Sequence, residues 1–551
     1  MVMATAALLL AIVAAVGVTS GCGGDGDGSA PAAPQGKVVI IALDGVTWHT
    51  AVPLMERGGM PRLAAMMDRG CWGSLGTLKP TWTPIIFTTM ATGKLPEAHG
   101  VDGFVDDNGV PLSSNMRRVR ALWNIAGDAG RTVVFVGWPV TWPAEAVNGV
   151  LVADNYGIHE ESQIHPPELA PELAGRLAVL EEQEPGPGVR RVLKATREAI
   201  RDLGGAELKG GKLGEAAEAN RAASGTRAKK PKKLKGLHLN QVMDYIRARI
   251  RREKEVSAPY FLELVAREQP DLAAVYFSGT DMLQHICGAR ELASGTPGVK
   301  PNPKMLTAID EVYSFYDGII GELVDGITAL PGYQDCRFVV VSDHGFDLDT
   351  GDESFALRFR RPSQIPLPEY LATPSLWQGR PADPQIDLRQ VSVFAGIEPG
   401  TGDDEGWWRC RLDPGLDGPS RNHALNRLIH HGESGMEARG VFTTIAHDYQ
   451  PPGIFVVQGG PVAGAGRLGD LAMSQVAPTV LSLMGLPVAE DMAGGPVPLP
   501  LTLADGSPAR LEAPALVATY DPEPRSAGDG ALSSASDEQI RQQLRLMGYI
   551  E

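Results

Sequence analysis

The sequence predicts an α/β fold built on a mostly parallel β-sheet with helices on both faces. Three observations predict it. Five short runs are continuously apolar: "KVVIIALDG" from Lys37, "RTVVFVGWP" from Arg131, "DLAAVYFSGTD" from Asp271, "CRFVVVSDHG" from Cys336 and "GIFVVQGGP" from Gly453. A strand buried on both faces reads this way, whereas a half-exposed strand alternates. Helical patterns such as "MPRLAAMMDRG" lie between these runs, which is the order of a parallel sheet with crossover helices. Three of the runs close on an aspartate, at Asp44, Asp281 and Asp343. Sheets of this kind place their chemistry at the carboxyl ends of the strands.

Taken in order, the chain opens on an uncharged stretch of Ala, Leu, Val and Ile, then "TSGC" ending at Cys22. This resembles a bacterial lipoprotein signal over residues 1–22, with Cys22 as the lipidated residue. Position 19 is Thr where such signals usually carry Leu, and no Lys or Arg precedes the apolar run. A plain secretory signal and an uncleaved anchor are the alternatives, and all three place the folded part outside the cytoplasm. The expected localisation is periplasmic or cell-surface, with membrane attachment through an N-terminal lipid. A Gly/Pro-rich linker spans 23–36, a catalytic domain 37–525, and a tail with a short helix, "SDEQIRQQLRLMGYIE", 526–551. At about 185–236 the strand–helix pattern fails in a basic stretch rich in Gly, Ala and Lys, read as an insertion that is partly helical or disordered. The following "LNQVMDYIRARIRREKEV" reads as a helix with a basic, solvated outer face.

The bulk numbers exclude several classes. A net charge of −16 over 551 residues argues against binding nucleic-acid polymers, whose phosphates require Lys and Arg. None of the five cysteines forms a C-x-x-C pair, which argues against a thiolate zinc site, while one or two disulfides remain open.

Four pieces of the chain carry metal-ligand chemistry. "SDHG" places Asp343 and His344 at a strand end, and "TDMLQH" puts Asp281 and His285 four apart, on one face if a helix begins there. Asp44 ends the first strand and His447 precedes the last. A mixture of carboxylates and imidazoles suits zinc better than calcium, and six ligands exceed one tetrahedral ion. The set therefore suits two divalent ions, most simply zinc, sharing one substrate. "KPTWTPIIFTTMATGKLPEAHG", from Lys79 to Gly100, adds five threonines beside an apolar stretch. A threonine hydroxyl is a poor nucleophile unless an ion or base activates it. Threonines also serve by bonding nearby backbone.

In these motifs and their order the chain resembles the type I phosphodiesterase/nucleotide pyrophosphatase family of the alkaline phosphatase superfamily. The matching pieces are "IALDG", "PTWTP…TTMATGKLPEAHG", "GWPVTWP", "TDMLQH", "SDHG", His447 and "DMAGGPV". The resemblance implies an alkaline phosphatase-like three-layer α/β/α sandwich. It implies one ion held by Asp281, His285 and His447, and another by Asp44, Thr83, Asp343 and His344. It makes Thr83, nine residues before the Thr92-Gly93 pair, the nucleophile, and leaves Thr81, Thr88, Thr89 and Thr92 structural. The implied activity is hydrolysis of phosphodiester or pyrophosphate bonds in small molecules through a phospho-threonine. A phosphomonoesterase or phosphonate hydrolase could share the same ligands, and an inactive surface lipoprotein could keep the scaffold. No Cys-x-Pro-x-Arg site for a sulfatase is present. His99 reads as structural, His430 and His431 as loop residues, and Trp82, Trp138 and Trp142 as core or substrate-stacking groups.

Overall fold

A computed structural model describes residues 36–159, 161–202, 239–287, 303–346, 348–350, 354–359, 371, 394–399, 408–412, 436–439, 443–445, 452–464, 466–469, 471–523, 531–547 and 550. All five apolar runs are strands: β1 (Val38–Leu43), β3 (Val133–Val136), β6 (Leu272–Phe277), β7 (Arg337–Ser342) and β14 (Gly453–Gln458). With β2 (Cys71–Gly76), β4 (Gly149–Val152), β5 (Ile164–His165), β15 (Gly466–Arg467) and β16 (Leu471–Ala472) they form a ten-stranded sheet. Its order is β15-β2-β14-β7-β1-β6-β3-β4-β5, with β16 beside β2. The centre is parallel: β1 pairs with β6 and β7, and β3 with β4 and β6. β14 and β5 run antiparallel to their neighbours, so the sheet is mixed toward its edges. A smaller four-stranded sheet joins β9 (Ser354–Phe359), β10 (Phe394–Pro399), β11 (Trp408–Leu412) and β12 (Met436–Arg439). A ladder pairs β8 (Leu348–Thr350) with β13 (Thr443–Ile445).

The continuous apolar reading has a direct cause. Val39, Ile41 and Leu43 of β1 enter the core on one face, and Val38, Ile40 and Ala42 enter a second core on the other. The first face is covered by helices that include α1 (Trp48–Glu56), α2 (Pro61–Arg69), α9 (Ala258–Glu268) and α11 (Pro303–Thr328). The second is covered by α3 (Thr83–Thr92), α5 (Leu122–Asp128) and α12 (Val476–Leu483). This is the three-layer α/β/α sandwich expected. A terminal helix, α13 (Asp537–Met547), is present as read from the sequence.

Two expectations change. The insertion begins later than position 185, because α7 (Pro187–Asp202) buries Val189, Val192, Ala195 and Ala199 in the first core. Its arginines and lysine masked that apolar stripe; the rest of the stretch, 203–238, lies outside the described residues. The next helix, α8 (Leu239–Arg252), is not simply solvated on its basic face. Arg251 is buried, donating to Glu255 at 2.9 Å and to the Gln183 carbonyl at 2.7 Å. Cys71, Cys336 and Cys410 are buried thiols, while Cys22 lies outside the described residues. Among the described residues no helix is long and apolar enough to cross a membrane.

The threonines of α3 show how an apolar helix accommodates hydroxyls. Every residue of α3 is buried. Thr88 donates to the Pro84 carbonyl at 2.7 Å and Thr92 to the Thr88 carbonyl at 2.8 Å, so neither hydroxyl is left unsatisfied. Gly93 ends the helix in the left-handed region at φ 70°, a conformation that suits glycine. Thr89 meets His99 Nε2 at 3.0 Å, and Val101 N–H donates to His99 Nδ1 at 3.1 Å. His99 is therefore a neutral structural residue whose Nε2–H donates to Thr89.

That arrangement makes a prediction for acid stability. Burial, with the nearby Arg117 charge adding to it, lowers the His99 pKa to about 3. The unfolded value is about 6.5, so between those values the unfolded chain binds the proton and the folded chain does not. His99 thus contributes stability above about pH 6.5 that is lost as pH falls toward 3, with a slope of at most ~1.4 kcal/mol per pH unit. Urea unfolding at several pH values between 4 and 7 should show a shallower acid loss in His99→Gln than in the wild type. Parallel curves would contradict this account of His99.

Candidate active site

β1 and its neighbours bring five of the predicted ligands together: Asp44, Asp281, His285, Asp343 and His344. In register, Leu43 of β1 lies beside Phe277 of β6 and Ser342 of β7. Asp44 and Asp343 therefore follow adjacent strand ends. Asp281 is not itself a strand end. It sits in the first turn of α10 (Gly279–Cys287), which starts two residues after β6 and puts Asp281 and His285 one turn apart as expected.

Asp44, Asp281, Asp343, His285 and His344 are all buried. His344 Nε2 lies 3.3 Å from Asp343 Oδ2, 3.6 Å from Asp44 Oδ1 and 3.9 Å from Asp281 Oδ1. His285 Nε2 lies 3.4 Å from Asp281 Oδ1. One ligand atom from each of Asp44, Asp281 and His344 falls within 4.8 Å of the others. His447 lies outside the described residues, as do His430 and His431.

Electrostatics show what this cluster requires. Burial, followed by the charges of Asp343 and Asp281, pushes the Asp44 carboxyl well above its ordinary range. Asp343 is raised by burial against the opposing effect of His344. His344 Nδ1 faces the Gly345 carbonyl at 3.2 Å, and a carbonyl only accepts, so Nδ1 carries the hydrogen. Nε2 is then the ring atom directed at the carboxylate oxygens of Asp44, Asp281 and Asp343. Asp44 Oδ1, Asp343 Oδ2 and His344 Nε2 are buried with no hydrogen-bond partner. Acceptors facing acceptors in a buried site call for a cation. The donor set and its unsatisfied atoms fit a divalent metal ion bound by mixed nitrogen and oxygen.

Supporting residues hold the acceptors in place. Asp343 Oδ1 accepts from Gly45 N–H at 3.1 Å and from His344 N–H at 3.0 Å, leaving Oδ2 for the cluster. Ser342 Oγ accepts from Val46 N–H at 2.9 Å and donates to the His344 carbonyl at 3.0 Å. Gly45 has φ 70°, and a Cβ there would come within 2.8 Å of Asp281 Cα, so glycine lets α10 approach the end of β1. Thr280 Oγ1 donates to the Asp44 carbonyl and Gln284 Nε2 to the Gly45 carbonyl, the latter at 2.7 Å. Sequence reading missed Ser342, Thr280 and Gln284, although all three lie inside the quoted motifs.

Tyr276 was also missed, and it links Asp44 to α3, the helix that Thr83 begins. The Tyr276 hydroxyl donates to Asp44 Oδ2. Tyr276 shares its face with Ala274 and pairs with small Ala42, which leaves room for the ring. The Tyr276 ring packs edge-on against Phe87 at 5.0 Å. Phe87 lies one turn after Thr83 on α3, and Trp138 Nε1 donates to the Phe87 carbonyl at 3.3 Å. Thr83 is the buried first residue of α3, followed by Pro84. The Ile85 and Ile86 N–H groups both donate to the Trp82 carbonyl, at 3.0 and 3.1 Å, so the pull of this helix end on an anion rests on the helix dipole. Trp82 packs near Phe104 with ring centroids 6.1 Å apart, and Trp142 stacks on His159 at 3.9 Å.

A buried carboxylate–imidazole cluster at the carboxyl ends of a parallel sheet is a candidate centre for a divalent metal ion. The sequence model of the type I phosphodiesterase / nucleotide pyrophosphatase family matches residues 38–354, and the chain belongs to that family. It is accordingly a phosphoric ester hydrolase. No curated protein matches the chain. Among solved structures, an inactive form of murine ectonucleotide pyrophosphatase/phosphodiesterase 5 in complex with AMP is similar at 11% identity, covering 82% of this chain and 96% of its own, with a TM-score of 0.37. The human protein of that name gives 12% identity, 83% and 97% coverage and a TM-score of 0.37. A multiple mutant of the alkaline phosphatase PafA gives 11% identity, 85% and 99% coverage and a TM-score of 0.43.

Proposed function

We propose that the chain hydrolyses small phosphodiesters or pyrophosphates with two divalent ions, most simply zinc, through a covalent phosphate on Thr83. The observation that carries this reading is the buried set of unsatisfied acceptors on Asp44, Asp343 and His344. Asp281, His285 and His447 would hold one ion, and Asp44, Thr83, Asp343 and His344 the other. When bound, such ions supply charge stabilisation for a phosphoryl group and lower the pKa of a nucleophilic oxygen.

The chain's own residues perform the remaining steps. Thr83 places its hydroxyl at the N-terminus of α3, the end of the helix dipole that favours a phosphoryl anion. Its oxygen attacks phosphorus and loses its proton as the ester P–O bond breaks, and the departing oxygen leaves as an alcohol or phosphate. Water then attacks the same phosphorus, the Thr83 ester bond breaks, and the hydroxyl is restored. Tyr276 orients Asp44 throughout by its hydrogen bond.

Paired aryl phosphate diester and monoester substrates test the activity, with zinc present and after chelation. Zinc-dependent turnover that favours the diester supports the reading; preference for the monoester would transfer the site to phosphomonoester hydrolysis. No turnover of either by zinc-loaded protein would refute the proposed chemistry.

We also propose that the protein is exported and held at a membrane by lipid on Cys22, from the "TSGC" signal. Cys22→Ser should then move the protein from the membrane fraction to the soluble one. Unchanged membrane association would favour an uncleaved anchor instead.

A further inference from the structure

We infer that Glu253 is a positioning residue for the metal-bearing helix, an inference that rests on the metal reading of the site. Glu253 is 3% exposed, and it opens a π-helical turn, Glu253–Ser257, between α8 and α9. A π turn within a helical run gives up regular hydrogen bonding, and such turns are frequent at functional sites. Here the turn delivers a buried carboxylate to the start of α10. Ser278 N–H and Ser278 Oγ donate to Glu253 Oε1 at 2.8 and 2.9 Å, and Gly279 N–H donates to Oε2 at 3.3 Å. Tyr316 OH, fully buried on α11, donates to Oε2 as well.

The geometry places this carboxylate behind Asp281. The N–H groups at the start of a helix have no partner within the helix, and a negative charge there is favourable. Glu253 therefore fixes the position and direction of the first turn of α10, whose third residue is Asp281. The helix is tied at its other side by Thr280 and Gln284 to the backbone of Asp44 and Gly45. Together these bonds set the position of Asp281 relative to Asp44. Packing here is close, since a Cβ on Gly279 would lie 2.0 Å from Tyr316 OH.

The chemistry at this position is specific to a carboxylate. All four groups facing Glu253 are donors, and an ionised carboxylate accepts on both oxygens without offering a hydrogen. Glutamine has almost the same shape but would turn an NH2 toward a backbone N–H, that of Ser278 or of Gly279, which can only donate. Glu253→Gln should therefore shift the start of α10 even though the volume is kept. A simple stabilising cap would affect unfolding alone. A positioning residue also alters how well Asp281 and His285 hold an ion, and outer hydrogen-bond partners of metal ligands commonly affect affinity by about 10–100-fold.

The test uses the full chain stripped of metal and titrated with zinc against a chromophoric chelator, with circular dichroism of the apo protein as the fold control. Glu253→Gln should weaken one zinc-binding step by about tenfold or more. Its activity should recover at saturating zinc. Ser278→Ala and Tyr316→Phe, each removing one donor, should weaken the same step by smaller factors. Folded Glu253→Gln that binds zinc as the wild type does would overturn the inference. If that variant does not fold, wild-type zinc affinity in both single-donor variants would overturn it. A wild-type chain that binds no zinc would instead refute the metal reading, and this inference with it.

Discussion

Thr83→Ala is expected to fold, to keep most of its metal, and to lose turnover by on the order of 10³-fold or more. Thr83 is one ligand among several proposed for its ion, so Asp44, Asp343 and His344 remain to hold it. The hydroxyl, however, is the atom that bonds to phosphorus, and no neighbouring group can replace it. The other threonines of the segment have different tasks. Thr88 and Thr92 donate to backbone carbonyls one turn back, and Thr89 faces His99. Thr88→Ala should accordingly act on stability, by roughly 1 kcal/mol for one lost hydrogen bond, and leave kcat unchanged. Thr83→Ser retains the oxygen and should keep part of the activity. Mass spectrometry of acid-quenched enzyme locates the phosphate directly. Label on Thr81 or Thr88, or normal turnover in Thr83→Ala, would assign the reaction to another group.

The contrast between Thr83 and Thr88 shows what the sequence made legible. Order and spacing sufficed for the strands, because a central strand has no exposed face and must be apolar at every position. They sufficed for the Asp281–His285 pair as well, because four residues return a helix to the same face. Adjacent placement of Asp44 and Asp343 follows from β1 lying between β6 and β7, which strand order in space decides and linear order does not. Tyr276 and Glu253 were not legible for the same reason. Each acts on a residue distant in sequence, and one tyrosine in a strand or one glutamate in a basic helix carries no spacing signal. The core role of α7 was hidden differently, by charges on its outer face in a stretch that is basic as a whole.

Removing a carboxylate from the cluster should have opposite effects with and without metal. In metal-stripped protein the Asp44 carboxyl has a raised pKa, caused first by burial and then by Asp343 and Asp281. The folded state therefore holds a proton that the unfolded chain releases at about pH 4. Above that value ionisation favours the unfolded chain, so apo stability should fall as pH rises toward neutrality. Asp44→Asn cannot ionise and escapes this loss. At pH 7 the stripped variant should be more stable than the stripped wild type, by ~1–4 kcal/mol on the scale of buried-charge replacement. With zinc present the order should reverse, because the wild type gains binding energy and the variant has lost an anionic ligand. Activity of Asp44→Asn should be strongly reduced in either case. Thermal unfolding of both proteins at pH 5 and pH 8, with chelator and with zinc, measures these stability differences. If zinc leaves the wild-type unfolding temperature unchanged, the unsatisfied atoms of Asp44, Asp343 and His344 serve something other than a metal ion. If the stripped variant is the less stable protein at pH 8, the three carboxylates do not oppose one another as their burial implies.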